Sequence, residues 1–197
     1  MRRTSNWSGE QRGYTSAEGT KRWYRFDEQS HKGKKLGYRL GISAQIGFEF
    51  QLRAETGFDR QAQSFGIGAE QTVGDSRFDA EVFIDSDDQR VGAALRRSPE
   101  ARDAVLSLFR ICRERGGTLN RVQAYRGRLW IHVKDASGLP TSNVANELSD
   151  ALYTLNEALA TQASGLHKAP DPFLRRAMLI LAVSTGSPFS DSWPCRA

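Results

Sequence analysis

The chain's 197 residues suffice for one well-buried core or two small ones, and 39% hydrophobic with 26% charged residues is the composition of a globular domain. The formal charge of +5 is unevenly placed: residues 1–35 hold nine Lys/Arg against four acids, leaving nineteen of each sign over the remaining 162. Two distant cysteines, Cys112 and Cys195, exclude a disulfide framework and give no metal spacing. No apolar run approaches the ~18–20 residues that cross a bilayer, and no apolar stretch follows Arg2-Arg3 to make a secretory signal.

In chain order, residues 1–35 read as a flexible basic arm, rich in Ser, Gly, Lys and Arg with one aromatic cluster, Trp23-Tyr24-Arg25-Phe26. Regular structure is expected from about Tyr38, in a single domain over 36–185. Ile46, Phe48, Phe50 and Leu52 alternate with polar residues as in a half-buried strand. Residues 54–77, rich in Gly and Gln, predict a long loop with a helical turn near Phe58–Phe65. The segment 74–88, GDSRFDAEVFIDSDD, places six carboxylates in fifteen residues. Its alternation predicts a second strand with Phe78, Ala80, Val82 and Ile84 on one face, and Asp79, Glu81, Phe83 and Asp85 on the other.

Asp87 and Asp88 are placed to cap a helix carrying Val91, Ala94 and Leu95. Ser98-Pro99 then ends one helix and opens another, striped by Ala101, Val105, Leu108, Phe109 and Cys112 and closed by Gly116-Gly117. A hairpin over 118–134 turns at Arg126-Gly127. Its expected pairs are Ala124 with Leu129, Val122 with Ile131 and Asn120 with Val133. Residues 141–162 carry the clearest helical stripe, a shorter apolar helix is expected over Phe173–Val183, and 186–197 read as an irregular tail. The order β-β-α-α-β-β-α-α predicts an α+β fold, an antiparallel sheet of about four to five strands with helices packed on one face.

Motifs for chemistry are sparse. There is no Gly-x-Ser-x-Gly, His31, His132 and His167 have no triad context, and Gly66-Ile67-Gly68 lacks the frame of a phosphate loop. The acidic segment does not match an EF-hand. Asp79 and Glu81, about 6–7 Å apart on one strand face, hold a cation only with help from a neighbour such as Glu49. The simpler reading is a solvated face answered by Arg53, Arg121 or Lys134. The hairpin's polar face gathers Arg121, Tyr125, Arg128, Trp130, His132 and Lys134, the stacking-plus-charge pattern of single-strand nucleic-acid platforms. Trp130 is the residue expected to mark a contact.

The run from "FEFQLRAETGFDRQAQSFGIGAEQTVGDSRFDAEVFIDSDD" through "SPEARDAVLSLF" to "GRLWIHV", over about 46–134, resembles uncharacterised bacterial proteins of the domain-of-unknown-function type, with a GD-x-x-FD-x-x-x-x-I-x-SDD core. The resemblance implies no activity. It does imply frequent association with transmembrane segments, from which this chain departs, since Met178–Val183 is too short to span. The expectation is therefore a non-catalytic protein-interaction domain without cofactor, cytoplasmic or at most peripheral to a membrane. The alternatives are a polyanion-binding module, for nucleic acid or anionic lipid, using the arm and hairpin face, and less favoured a divalent-metal enzyme.

Overall fold

The computed structural model describes residues 9–32, 34–55, 71–134, 139–163 and 165–166. The chain divides into two units, Met1–His167 and Lys168–Ala197, and every described residue belongs to the first. The expected turn near 58–65, the helix over 173–183 and the tail 186–197 lie outside the described residues.

Seven strands form one wholly antiparallel sheet: β1 (Glu10–Thr15), β2 (Lys21–His31), β3 (Lys34–Ser43), β4 (Phe50–Ala54), β5 (Val82–Asp85), β6 (Thr118–Tyr125) and β7 (Arg128–Lys134). Their spatial order is β1-β2-β3-β7-β6-β4-β5. The described helices are α1 (Ser76–Glu81), α2 (Arg90–Arg97), α3 (Pro99–Glu114) and α4 (Ser142–Ala163). The fold is α+β, with seven strands where four to five were expected and with the described order β-β-β-β-α-β-α-α-β-β-α.

The added strands come from the stretch read as a flexible arm. Residues 10–31 instead form β1 and β2, and β3 begins at Lys34, so the sheet starts far ahead of the expected boundary at 36. The pleat explains the assignment: Tyr24 and Phe26 of β2, like Tyr38, Leu40 and Ile42 of β3, are buried on one side. Trp23 and Arg25 point to the other. A turn closes β1 onto β2, with Gly19 at φ 79° and the Ser16 hydroxyl accepting from the Thr20 N–H at 3.2 Å.

Burial places the helices on one face. From the sheet, Leu40, Leu52, Val122, Leu129, Ile131 and Val133 are fully buried; Val91, Leu95, Val105, Leu108, Leu148, Leu152, Leu155 and Leu159 meet them from the helices. Ser98 caps α3 by accepting from the Ala101 N–H at 3.1 Å, with Pro99 in the first turn. Gly116, at φ 73°, ends that helix while the Gly117 N–H donates to the Cys112 carbonyl. Cys112 is buried, and desolvation pushes its thiol up to about 12, which leaves it unreactive.

The hairpin forms as expected at its turn, where Arg126 (φ 50°) and Gly127 (φ 72°) both take the positive φ of a type I′ connection. Ala124 pairs with Leu129 and Val122 with Ile131. A bulge between Leu119 and Arg121 shifts the far end, so Leu119, not Asn120, faces Val133.

Gly37 makes the closest approach in the sheet. It sits at φ +143°, and a Cβ there would meet the Val133 carbonyl oxygen at 1.9 Å. Gly37→Ala is expected to cost roughly 3 kcal/mol, combining backbone strain with a clash against main chain. Gly47→Ala, with nothing within 4 Å of its Cβ, is expected to leave the melting temperature nearly unchanged. Thermal melts of both variants check the contrast.

Candidate functional site

The acidic segment dissolves as a single site. Its first half is a helix: Asp75 caps α1, its Oδ1 accepting from Arg77 N at 3.1 Å and Phe78 N at 3.2 Å. Its other oxygen takes the Arg102 Nε at 2.9 Å, and Arg102 continues to the carbonyls of Leu95 and Arg96 at the end of α2. The strand expected over 78–85 therefore begins only at Val82. Phe78 and Val82 are both buried, and their spacing of four serves a helix turn as well as a pleat.

Asp79 does not lie on a strand face. It accepts from the N–H groups of Val73 and Gly74, both at 3.0 Å. Glu81 sits 3.8 Å from Arg113, and Glu49 accepts from the Arg126 N–H at 3.3 Å. The premise that Asp79 and Glu81 share a strand face with Glu49 is thus corrected. Among the described residues, no group of three or more His, Cys, Asp and Glu is placed to hold a metal ion. Asp88 acts one residue before the cap of α2: its carboxylate accepts from the Arg90 N–H and grips the Arg90 guanidinium at 2.6 Å, while Gln89 is the cap without a side-chain bond.

The hairpin residues do come together. Arg121, Tyr125, Arg128, Trp130, His132 and Lys134 share the sheet face opposite the helices, alternating with buried Leu119, Val122, Ala124, Leu129, Ile131 and Val133. The β3–β7 pairing extends this face in a way the sequence did not indicate. Gly41 lies beside Trp130 and Arg39 beside His132, and β2 adds Arg25 next to Gly41 and Asp27 next to Arg39. On the far side Gln123, Gln51 and Asp85 continue the row of Trp130.

At the centre stands Trp130, partly buried rather than the exposed contact residue expected. The Arg39 and Arg121 guanidinium carbons lie 5.9 and 5.6 Å from its ring centre, within cation–π range. Gly41, the strand neighbour of Trp130 on β3, carries no side chain. Arg39 pairs with Asp27, and Arg121 donates to the Gln51 amide oxygen at 3.3 Å. The Nε atoms of both arginines are out of water with no hydrogen-bond partner, so two cations are held on this face at a desolvation cost.

Seven basic side chains occupy the face by pleat parity: Lys21 and Arg25 on β2, Arg39 on β3, Arg53 on β4, Arg121 on β6, and Arg128 and Lys134 on β7. Among the described strand residues only Asp27 and Asp85 oppose them. Among the described strand residues the cations outnumber the acids on this face, and Asp79 and Glu81, expected on it, belong to α1.

The edge of the face is fixed from below by α4. Asp150 accepts from the Tyr14 hydroxyl and from Arg22, each at 2.6 Å. Burial, then the bond to Asp150, raises the Tyr14 phenol above its ordinary value, so it stays a donor. Tyr153 lies under the Arg22 guanidinium, and its hydroxyl bonds the Trp23 N–H at 3.2 Å and the Trp23 carbonyl at 2.8 Å. The contributions of Trp23, Arg25 and Arg39 could have been found in the alternation Trp23-Tyr24-Arg25-Phe26 and Tyr38-x-Leu40-x-Ile42. No family model, curated protein or solved structure matches the chain.

His132 reports the field of this face. Its imidazole is held below its ordinary 6.5, first by burial and then by the charges of Arg121, Lys134 and Arg39. Asn120 Nδ2 stands 3.3 Å from Nδ1, suited to the neutral ring. The unfolded chain takes up this proton near pH 6.5 and the folded chain only lower, so the neutral ring's contribution to stability is full above 6.5 and declines as pH falls below it. An NMR titration is expected to place the His132 midpoint below 6.5, and Arg121→Gln is expected to move it back upward. An unmoved midpoint would mean that Arg121 does not act on it.

Proposed function

We propose that this chain is a binding domain whose open sheet face takes an anionic partner. The observation that carries the reading is the excess of seven cations over two acids on the described part of that face, centred on a tryptophan flanked by two arginines. A face with an excess of one sign of charge raises the local concentration of an opposite charge and speeds its arrival. Arginine dominates, and its planar fork suits carboxylate and phosphate groups. The interaction domain and the polyanion module expected from the sequence meet in this one surface, since β1–β3 supply what was read as the arm. Among the described residues no helix is long and apolar enough to cross a membrane.

Salt elution from immobilised heparin tests this. The double variant Arg121→Gln/Lys134→Gln is expected to elute at clearly lower salt than the unaltered protein. Arg110→Gln, on α3 in the helical layer, is expected to elute unchanged. Equal elution of all three proteins, or no retention of any, would contradict the proposal.

A further inference from the structure

Beyond the charge, one part of the open face has a shape. Trp23 faces Gly13 across the β1–β2 pair, and a Cβ on Gly13 would meet the six-membered ring of the indole at 2.6–2.9 Å. Only glycine lets the ring lie there, against the β1 backbone. The ring is nonetheless 54% exposed, the most exposed large hydrophobic side chain among the described residues. Its backbone is held by Tyr153 and not by its own side chain, so the indole is a platform added to a strand already fixed. Beside it lies a hollow of about 120 Å³ whose lining includes Gln11, Gly41, Ser43, Arg25 and Arg128; the Arg25 guanidinium donates to the Gly9 carbonyl and the Gln11 amide oxygen, each at 3.4 Å. An exposed aromatic ring next to two arginines matches a planar ring joined to a phosphate.

Resting on the proposed anionic partner, we infer that this partner is single-stranded nucleic acid, with one base stacked on Trp23 and its phosphate between Arg25 and Arg128. An acidic polypeptide satisfies the charge but leaves the indole platform without a planar partner. A duplex keeps its bases stacked on each other and presents none to the ring. The rest of the strand follows the cationic face toward Arg39 and Arg121. Stacking of one base on an aromatic side chain contributes about 1–3 kcal/mol, which corresponds to roughly 5- to 150-fold in affinity.

Fluorescence anisotropy with four labelled probes distinguishes the possibilities: a twelve-residue oligothymidylate, an abasic strand of the same length, a duplex of the same length and polyglutamate. The oligothymidylate is expected to bind at least about fivefold tighter than each of the others. Trp23→Ala is expected to reduce its affinity to that of the abasic strand, Trp23→Phe to keep part of the difference, and Gly13→Val to act like Trp23→Ala by displacing the ring. Circular dichroism melts show whether each variant is folded, and Trp23→Phe keeps the test decisive if the others are not. Equal binding of thymidylate and abasic strands, an undiminished Trp23→Ala, or polyglutamate or duplex binding as tightly would overturn the inference. In those cases, retention on heparin would leave the anionic-partner reading standing; loss of heparin retention as well would remove both.

Discussion

The antiparallel pairing of β3 with β7 joins two runs of strands that are distant in sequence. On one side stands the meander β1-β2-β3, and on the other β7-β6-β4-β5, which arises from a hairpin and two strands, β5 separated from it by two helices and β4 by three. From Gly37 opposite Lys134 to Ser43 opposite Arg128, seven residue pairs hold this seam, and both its strands bury their apolar side under the helices. If the seam were lost, each half would present an unpaired edge, and the face carrying Arg39, Trp130 and His132 would not exist. Gly37 marks how closely the two backbones approach there.

The charged face follows from this one-sided packing. Four described helices cover one side of a sheet whose strands alternate except at the bulges between Gln29 and Ser30 and between Leu119 and Arg121, so outside the bulges a residue between two core residues is delivered to the other side. That side contains Gly41 beside Trp130 and Gly13 where Trp23 lies, so the backbone is itself part of the surface. Of the acids of the segment 74–88, Asp75 caps α1 and grips Arg102, Asp79 closes the turn at Val73–Gly74 and Asp88 holds Arg90. Asp85 stays on the face, and the absence of the other three from it helps leave the cations in excess among the described strand residues.

Local signals made part of this legible. The α3 stripe with Ser98-Pro99 before it and two glycines after it, the long α4 stripe and the Arg126-Gly127 turn are set by neighbours within a few residues, and the structure follows them closely. The hairpin's outward residues were likewise readable from alternation alone. The alternation of Trp23-Tyr24-Arg25-Phe26 is short and was overlaid by polar and aromatic residues on both sides of the N-terminal strands; Arg12, for example, lies over the Phe26 ring on the apolar side. These strands pair locally in a meander, and what docks that meander onto the rest of the sheet is the β3–β7 pairing across about ninety residues, which no local window contains. The segment 76–81 failed differently. Phe78 and Val82 fit both periods, and the hydrogen bonds of Asp75 and Asp79 decide for the helix.

The central claim is that the partner occupies the sheet face opposite the helices. Backbone amide and indole N–H chemical shifts, followed by NMR as the oligothymidylate is added, locate the contact directly. The largest changes are expected at the Trp23 and Trp130 indoles and along β2, β3, β6 and β7, with α3 and α4 nearly silent. Changes concentrated on α3 and α4, with both indoles unmoved, would contradict it.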